Sequence, residues 1–568
     1  MKDNFYCLVM FPYPSGEKLH MGHWYNYAPV DTFCRYKRMK NMDVFQPMGF
    51  DSFGLPAENH AIKTGVRPRE SIDANIAGMM DQIWEMESEY DLLDPLITSE
   101  PSYYRWTQWL FLQLYKNDLA YKSEALVNYC PSCKTTLANE QVVDNKCERC
   151  EAYVQQISTP SWFFKISKYA KELYEGLSVV DWPKETVKMQ RNWIGDDYKN
   201  LRDWNISRQR YWGCPIPIVY DPDGKPHPVP EDMLPWRLPV DVEFKPSGAS
   251  PLAASEEFIN RTERAFGRGW RPEFDTMDTF VDSSFYFIRY LMDINSDKFV
   301  DKKHIRDWLP VDLYVGGKEH ACLHLLYSRF INMVLHDLDY STVREPFKRL
   351  AHQGFITYNG QKMSKSKGNT VDPTPVVEAH GSDALRMYLM NIGPYDQGGE
   401  WDDNGINGIV RFLNRVRKAD KEASAHAEHY HIDKTISKVE DSLEKLKFNV
   451  AIGELMRCLN EITALKTIPK TTMNNYIKIM YPFAPMLAQE LRGPEIIMAE
   501  WPVYINNNVR NDLVVQINGK FVGTVKPKDK EYNISAAKGI AQLEDSDIVN
   551  TIYVEGKIVN FVTKKKEK

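Results

Sequence analysis

At 568 residues the chain is too long for a single hydrophobic core, and roughly 100–200 residues per domain predicts three to five domains. Its 43% hydrophobic and 26% charged content is that of an ordinary globular protein, its 12% aromatic content argues against disorder over most of the length, and no run of about 18 apolar residues is present to span a membrane. The net charge of −6 neither favours nor excludes a nucleic-acid partner, which only local basic faces can report.

In chain order, Phe5 to Phe11 alternates like a strand, without the basic start or apolar centre of a secretory signal, so a cytoplasmic location is expected. Pro12 to Gly16 reads as a turn, a helix is expected from near His20 to about Lys40, and Val44 to Met48 reads as a second buried strand. Strand, helix, strand predicts a parallel sheet, whose ligands bind at the carboxyl ends of the strands. A short polar segment near 125–157 carries Cys130, Cys133, Cys147 and Cys150; the other five cysteines are singletons, read as buried thiols. Residues 161–200 return to helical periodicity, and 203–250 are rich in Pro, Trp and Arg. Val311 to Val315, the Gly316-Gly317 turn and a helix from about Glu319 to His336 form a second βα unit. Asn359-Gly360 signals a hairpin leading to Lys362-Met363-Ser364-Lys365-Ser366. Helical periodicity then runs from about 374 to 500, Asn506 to Asn508 reads as a linker, and hairpins at Asn518-Gly519 and Glu555-Gly556 predict a small α+β domain with a frayed lysine tail. The expected divisions are 1–125 and 251–373 for the two halves of the core, 126–160 for the cysteine knuckle, 161–250 for a connection, 374–505 for a helix bundle and 510–568 for the terminal domain.

Three patterns carry chemistry. His20-Met21-Gly22-His23 puts two imidazoles at i and i+3 on a helix start, where free N–H groups and the dipole favour phosphate, and Gly22 admits close approach of a ligand. Lys362 and Lys365 place two ammonium groups three residues apart on a loop, suited to a leaving pyrophosphate. Alone, the first fits two solvated histidines and the second a basic loop; both occur here in one chain, each beside a βα unit. Cys130-x-x-Cys133 and Cys147-x-x-Cys150 have the spacing of a tetrahedral Cys₄ zinc site, and a small polar segment draws its folding energy from such a metal. Arg411, Arg415 and Lys418 fall at helical spacing, giving one basic face that suits an RNA backbone.

The two phosphate motifs resemble the HIGH and KMSKS signatures of class I aminoacyl-tRNA synthetases. Met10-Phe11-Pro12-Tyr13-Pro14-Ser15-Gly16, Gly49 to Glu58, Val315 to His320, Asp275 to Phe280 with Ser283-Ser284, and Arg208-Gln209-Arg210-Tyr211-Trp212-Gly213 are similar to the leucyl subfamily. The likeness covers about residues 5–563 and is closer than to the isoleucyl, valyl or methionyl groups. It implies an α/β fold: a Rossmann-like class I core with a parallel sheet, a zinc knuckle insertion, a carboxyl-terminal helix bundle and a small α+β terminal domain. It also implies ATP-dependent ligation of L-leucine to tRNA(Leu) through leucyl-adenylate, with Mg²⁺ accompanying ATP, structural Zn²⁺ and a monomeric chain.

Carried over residue by residue, the resemblance gives Asp51 the α-ammonium of leucine, with Phe11 and Tyr13 flanking the substrate. It sets Phe280, Ser283, Tyr286 and His320, with His324 close by, around the side chain. His20, Gly22, His23, Gly316, Glu319, Met363 and Lys365 are expected on ATP, with His20, His23, Lys362 and Lys365 as the catalytic cations and donors. Arg208, Arg210, Arg411, Arg415 and Lys418 are expected on tRNA. A relative that had lost ligation and only bound RNA or leucine would show decayed motifs, whereas His20, His23, Asp51, Glu319, Lys362 and Lys365 are all in place. The largest departure is a shortening. The family carries a hydrolytic editing domain between a Trp-Ile-Gly and an Arg-Asp-Trp element, and here Trp193-Ile194-Gly195 is followed almost at once by Arg202-Asp203-Trp204, so editing is expected to be missing.

Overall fold

The structure, a computed structural model, describes residues 2–14, 16, 18–242, 250–363, 368–503, 513–526, 528–554 and 557–563. The chain divides into two compact units, one made of Met1–Tyr430 and Asp441–Trp501, the other of His431–Glu440 and Pro502–Lys568. Among the described residues no helix is long and apolar enough to cross a membrane.

The first unit opens with strand β1 (Asn4–Val9), helix α1 (Met21–Met39) and strand β2 (Asp43–Phe45), with β1 and β2 parallel. The expected strand from Val44 to Met48 is two strands. Pro47 has no N–H for a ladder and so starts a new strand, β3 (Pro47–Phe50), which pairs in parallel with β4 (Asp91–Ile97) instead of with β1. Next, β5 (Ala120–Cys130) and β6 (Gln155–Phe164) form a long antiparallel hairpin, from Ala120 opposite Phe164 to Tyr129 opposite Gln155, and the cysteine knuckle is its tip. Helix α2 (Lys184–Ile194) precedes the Trp193-Ile194-Gly195 element's turn. Strand β7 (Val311–Val315), helix α3 (His324–Asp337) and strand β8 (Phe347–Ala351) complete the sheet, whose order is β8-β7-β1-β2, all parallel. Hairpin β9 (Phe355–Tyr358) and β10 (Gln361–Lys362) turns at Asn359-Gly360, both at positive φ, as that dipeptide demands.

Helix α1 is buried along nearly its whole length, which is why its sequence shows no polar face. Its buried charge is paired. Asp31 Oδ2 accepts from Arg35 Nε at 2.8 Å and from Arg386 at 2.7 Å, and Oδ1 accepts from the Glu89 amide at 2.7 Å. Burial alone would raise the Asp31 pKa; the two guanidinium groups outweigh it and hold the carboxyl well below its ordinary range. Arg35 also donates to Tyr481 Oη at 2.8 Å, and Lys37 meets Glu444 at 2.7 Å.

Helix α4 (Ser382–Asn391), which carries Arg386, is followed by strand β11 (Gly398–Glu400) and then by helices α5 (Ile406–Lys421), α6 (Phe448–Thr463), α7 (Lys470–Met480) and α8 (Pro485–Arg492). Asp383 accepts from the amides of Met486 and Leu487, the free N–H groups at the start of α8. In α5 the residues Ile406, Ile409, Phe412, Leu413, Val416 and Ala419 make the buried stripe.

In the second unit, β12 (Leu513–Ile517), β13 (Lys520–Val525), β14 (Ile548–Val554) and β15 (Ile558–Thr563) form a sheet of order β13-β12-β15-β14. Helix α9 (Lys530–Ala541) covers a core of Leu513, Val515, Val525, Ala537, Val559 and Phe561. The Asn518-Gly519 turn joins β12 to β13. The Asn506–Asn508 linker, the Glu555-Gly556 turn and the lysine tail lie outside the described residues.

Candidate active site

Strands β1, β3 and β7 deliver their carboxyl ends to one place. Met10, Phe11 and Tyr13 follow β1, Asp51 follows β3, and Gly316 to His320 follow β7. Met10, Phe11, Tyr13, Asp51, Ser283, Tyr314, His320 and His324 line one cavity with about 250 Å³ of atom-free space, open mouth included. Two further expected residues stand a layer behind: Tyr286 stacks on Phe11 at 4.1 Å between ring centroids, and Phe280 meets His320 edge-on at 6.2 Å.

Apart from Asp51, the wall of this cavity is polar but uncharged. The Val9 carbonyl only accepts, so the single phenolic proton of Tyr286 goes to it at 3.0 Å. Tyr314 Oη, 2.8 Å from Tyr286 Oη, then supplies the proton between them and accepts from His324 Nε2 at 2.7 Å. Ser328 Oγ lies 3.4 Å from the remaining nitrogen, His324 Nδ1. Burial lowers the His324 pKa to about 3, so the ring is neutral at physiological pH. Burial likewise lowers His320, whose Nδ1 has no protein partner among the described residues. Asp51 is 2% exposed; burial raises its pKa to about 7 against the opposing hydrogen bonds from Thr279 and Thr98, which both reach Oδ1, at 3.1 and 3.4 Å. A buried carboxyl poised near neutrality on a cavity wall is suited to a cationic ligand.

Helix α1 begins with a histidine cap, and it reaches the cavity through Tyr27, whose ring is 6.3 Å from that of His23 and whose hydroxyl donates to the carbonyl of Met10 at 3.4 Å. His20 Nδ1 accepts from the Gly22 amide at 3.0 Å, and His23 Nδ1 accepts from the His20 amide at 3.1 Å, a capping box built from two imidazoles. With Nδ1 accepting, each neutral ring carries its hydrogen on Nε2, and the rings lie 4.1 Å apart. A Cβ at Gly22 would come within 2.8 Å of the His20 ring, so glycine is what lets that ring fold over the helix end. Lys362 ends β10 with its ammonium 3.4 Å from the centroid of the Phe355 ring, and Met363 is buried. Lys365 lies outside the described residues. Glu319 is exposed, and a Cβ at Gly316 would run into the Met10 side chain.

Residues 1–402 match the family of class I tRNA synthetases (I, L, M and V), and residues 429–540 match the anticodon-binding domain of tRNA ligases. Leucine–tRNA ligase of Clostridium perfringens (strain SM101 / Type A) is 34% identical, over 99% of this chain and 96% of the relative. The enzyme of Caldanaerobacter subterraneus is 34% identical over 98% of this chain and 96% of its own length. This chain belongs to the leucine–tRNA ligase family. The alignments with these two ligases extend over 786 and 788 positions, against 568 residues here, so they include stretches facing no residue of this chain. Among solved structures, LeuRS agnB2 of Agrobacterium radiobacter K84, in a ternary complex with tRNA and LeuAMS, superposes with a TM-score of 0.89 at 30% identity, covering 100% of this chain and 96% of that one. Methionyl-tRNA synthetase of Mycobacterium tuberculosis, at 18% identity and a TM-score of 0.62 over 86% of this chain and 93% of that one, shares the fold.

In this leucine–tRNA ligase family member the four cysteine sulfurs of the knuckle lie within 4.8 Å of one another. A tetrahedral zinc with Zn–S bonds of about 2.3 Å sets sulfurs about 3.8 Å apart, so the cluster suits the metal with small adjustments. The basic face of α5 is present: Arg411, Arg415 and Lys418 are exposed opposite its buried stripe, with Arg415 donating to Asn460 at 2.6 Å. Arg208 and Arg210 need correction. They are 6% and 3% exposed; Arg208 donates to Asp278 at 2.6 Å and Gln141 at 2.8 Å, and Arg210 to Glu58 at 2.5 Å and the Cys133 carbonyl at 2.8 Å. Separating a buried guanidinium from its carboxylate costs about 3–5 kcal/mol, so these two arginines fasten the knuckle and core together and do not reach for phosphate. The residues missed by sequence reasoning are Met10, Tyr314, Thr98 and Thr279; Tyr314 sits in a strand paired on both sides, where nothing in the local pattern sets it apart.

Proposed function

We propose that this chain activates L-leucine with ATP and transfers it to tRNA(Leu), with no hydrolytic correction of the product. The observation that carries the reading is the cavity at the strand ends, with ionisable Asp51 on its wall and the two-histidine cap of α1 beside it. Leucine enters with its ammonium against Asp51, a charge-assisted hydrogen bond, and its side chain among Phe11, Tyr13, Ser283, His320 and His324, with Phe280 and Tyr286 supporting. The leucine carboxylate attacks the α-phosphorus of ATP, the bond to the β-phosphate oxygen breaks, and pyrophosphate leaves. The Nε2–H groups of His20 and His23 donate to phosphate oxygens, and Lys362 and Lys365 close over the pyrophosphate, so catalysis is positioning plus electrostatics. Gly316 and Met363 border the nucleotide, and Glu319 holds its ribose. Mg²⁺, arriving with ATP, offsets the triphosphate charge. The terminal 2′-hydroxyl of tRNA then attacks the leucyl carbonyl and AMP leaves. Arg411, Arg415 and Lys418 bind the RNA backbone. Cys130, Cys133, Cys147 and Cys150 hold structural zinc.

The absence of editing is supported by the junction. Gly195, at φ 82°, ends α2, the Tyr198 amide donates to the Gly195 carbonyl at 3.0 Å, and the Asn200 amide donates to the Ile194 carbonyl at 3.1 Å. The turn is closed by its own hydrogen bonds, and Trp204 just beyond it stacks on Tyr327 at 3.8 Å with the rings 2° from parallel. The test is amino-acid-dependent ATP–pyrophosphate exchange with leucine, isoleucine, valine, methionine and norvaline, alongside incubation with preformed norvalyl-tRNA(Leu). Strong exchange with leucine and persistent norvalyl-tRNA are expected. No exchange by folded, zinc-loaded protein would reject the ligase, and rapid deacylation would reject the missing-editing half alone.

A further inference from the structure

Strand β8 ends at Ala351, and the next residue, His352, bridges two segments that the sequence keeps far apart. Its Nδ1 lies 2.7 Å from the Gly316 carbonyl, and its Nε2 lies 2.7 Å from Thr186 Oγ1 on α2. The carbonyl only accepts, so Nδ1 carries the hydrogen, and the neutral ring accepts the threonine hydroxyl proton on Nε2. Burial holds the His352 pKa below its ordinary value, which favours the neutral ring, and the two hydrogen bonds choose its tautomer. Thr186 is 1% exposed, so the bridge is fixed to the core at that end.

The other end holds the Gly316-Gly317 turn. The Gly316 amide donates to the Ala351 carbonyl at 3.2 Å, so Gly316 is tied to consecutive residues of one segment through both its N–H and its C=O. On its open side Gly316 packs on the Met10 side chain, which a Cβ there would have to displace. A glycine turn has no side chain to fix its own peptide planes; here a neighbouring imidazole fixes them. The turn precedes Glu319 and leads into His320 on the cavity wall.

We infer that His352 is a positioning residue for the nucleotide: by anchoring the Gly316 carbonyl to Thr186 it sets the backbone against which ATP binds. The inference rests on the reading of Gly316 and Glu319 as the ATP side of the site. It assigns no chemistry to the imidazole, which touches the Gly316 carbonyl and the Thr186 hydroxyl and not substrate.

The test uses the full-length, zinc-loaded protein and its His352→Ala, His352→Asn and Thr186→Val variants. Calorimetry measures Mg²⁺-ATP affinity directly, and pyrophosphate exchange gives KM for ATP and leucine separately. His352→Ala is expected to weaken ATP about tenfold, the effect of one positioning hydrogen bond lost, with leucine KM within about twofold of wild type. His352→Asn keeps an N–H donor near the Nδ1 position and recovers most of the loss, whereas Thr186→Val, which removes only the far anchor, weakens ATP about threefold. Unchanged ATP affinity in His352→Ala overturns the inference. So does an equal rise in both KM values, or an asparagine variant no better than alanine, since each marks a merely structural side chain. A wild type that binds ATP but exchanges with no amino acid rejects the ligase reading while the affinities still decide this one; a wild type that does not bind ATP rejects both.

Discussion

Around Asp51 and His324 the protein withdraws ionisable groups from water and lets burial decide their protonation. At the start of α1 it leaves two imidazoles half-buried and lets a helix terminus decide their orientation. Under the proposed function the first wall would recognise a small apolar amino acid with one cation, and a neutral His324 would keep unpaired charge out of a pocket for a hydrocarbon side chain. The second would face a triphosphate, for which donors of fixed direction matter more than exclusion of water. Recognition by burial is therefore sensitive to pH and to single methylenes, while recognition by donors is sensitive to geometry.

The sharpest way to break this contrast is Asp51→Asn. It leaves an uncharged amide in the buried wall, and leucine-dependent exchange should fall by about 10²–10³ in kcat/KM with Mg²⁺-ATP affinity unchanged. A matching loss of ATP affinity would show that the two walls are not separate. On the other wall, His20→Ala should slow adenylate formation about 10²-fold in single-turnover quench, with leucine affinity preserved. His20→Asn keeps a helix-capping acceptor and separates the cap from the phosphate contact: it should restore thermal stability and leave the rate low. If asparagine restored the rate, the imidazole would be only a cap.

A smaller effect sharpens the pocket side. Norvaline keeps the straight chain of leucine without its branch, and an apolar pocket discriminates such a change by about 10–200-fold; exchange kinetics give that ratio directly. The smallest expected effect is in pH. Asp51 has its folded pKa raised to about 7, so below that value the free site is mainly protonated and must lose a proton to hold an ammonium. Leucine kcat/KM should climb about tenfold per pH unit on the acid side and level off above about 7, with the Asp51→Asn variant showing no such limb. A profile flat from pH 5.5 to 8 would mean that the carboxyl is ionised before leucine arrives.

Much of this contrast was legible in the residues. The cap was, because His20 and His23 stand three apart at a helix start, and so was β7 with its glycine turn. The knuckle was legible from its two cysteine pairs, which do lie together. What the sequence concealed depends on partners distant along the chain. Arg208 and Arg210 look like solvent-facing cations until Asp278 and Glu58, 70 and 152 positions away, are folded against them. The break at Pro47 follows from a missing N–H, a signal that was present and outweighed by the apolar run around it. Tyr314 had no signal, since a polar handle on a buried strand acquires meaning only from Tyr286 and His324 across the layer.

The cluster at Asp31 bears on how the molecule can be dissected. Its carboxylate is shared by Arg35 and by Arg386, a partner 355 positions away, and Arg35 leans in turn on Tyr481. A fragment ending before residue 374 would keep every strand of the β8-β7-β1-β2 sheet yet strand a buried aspartate with half its counter-charge and leave Arg35 without its phenol. The helix that presents His20 is thus completed by residues of the bundle, and neither half keeps its buried charge paired without the other.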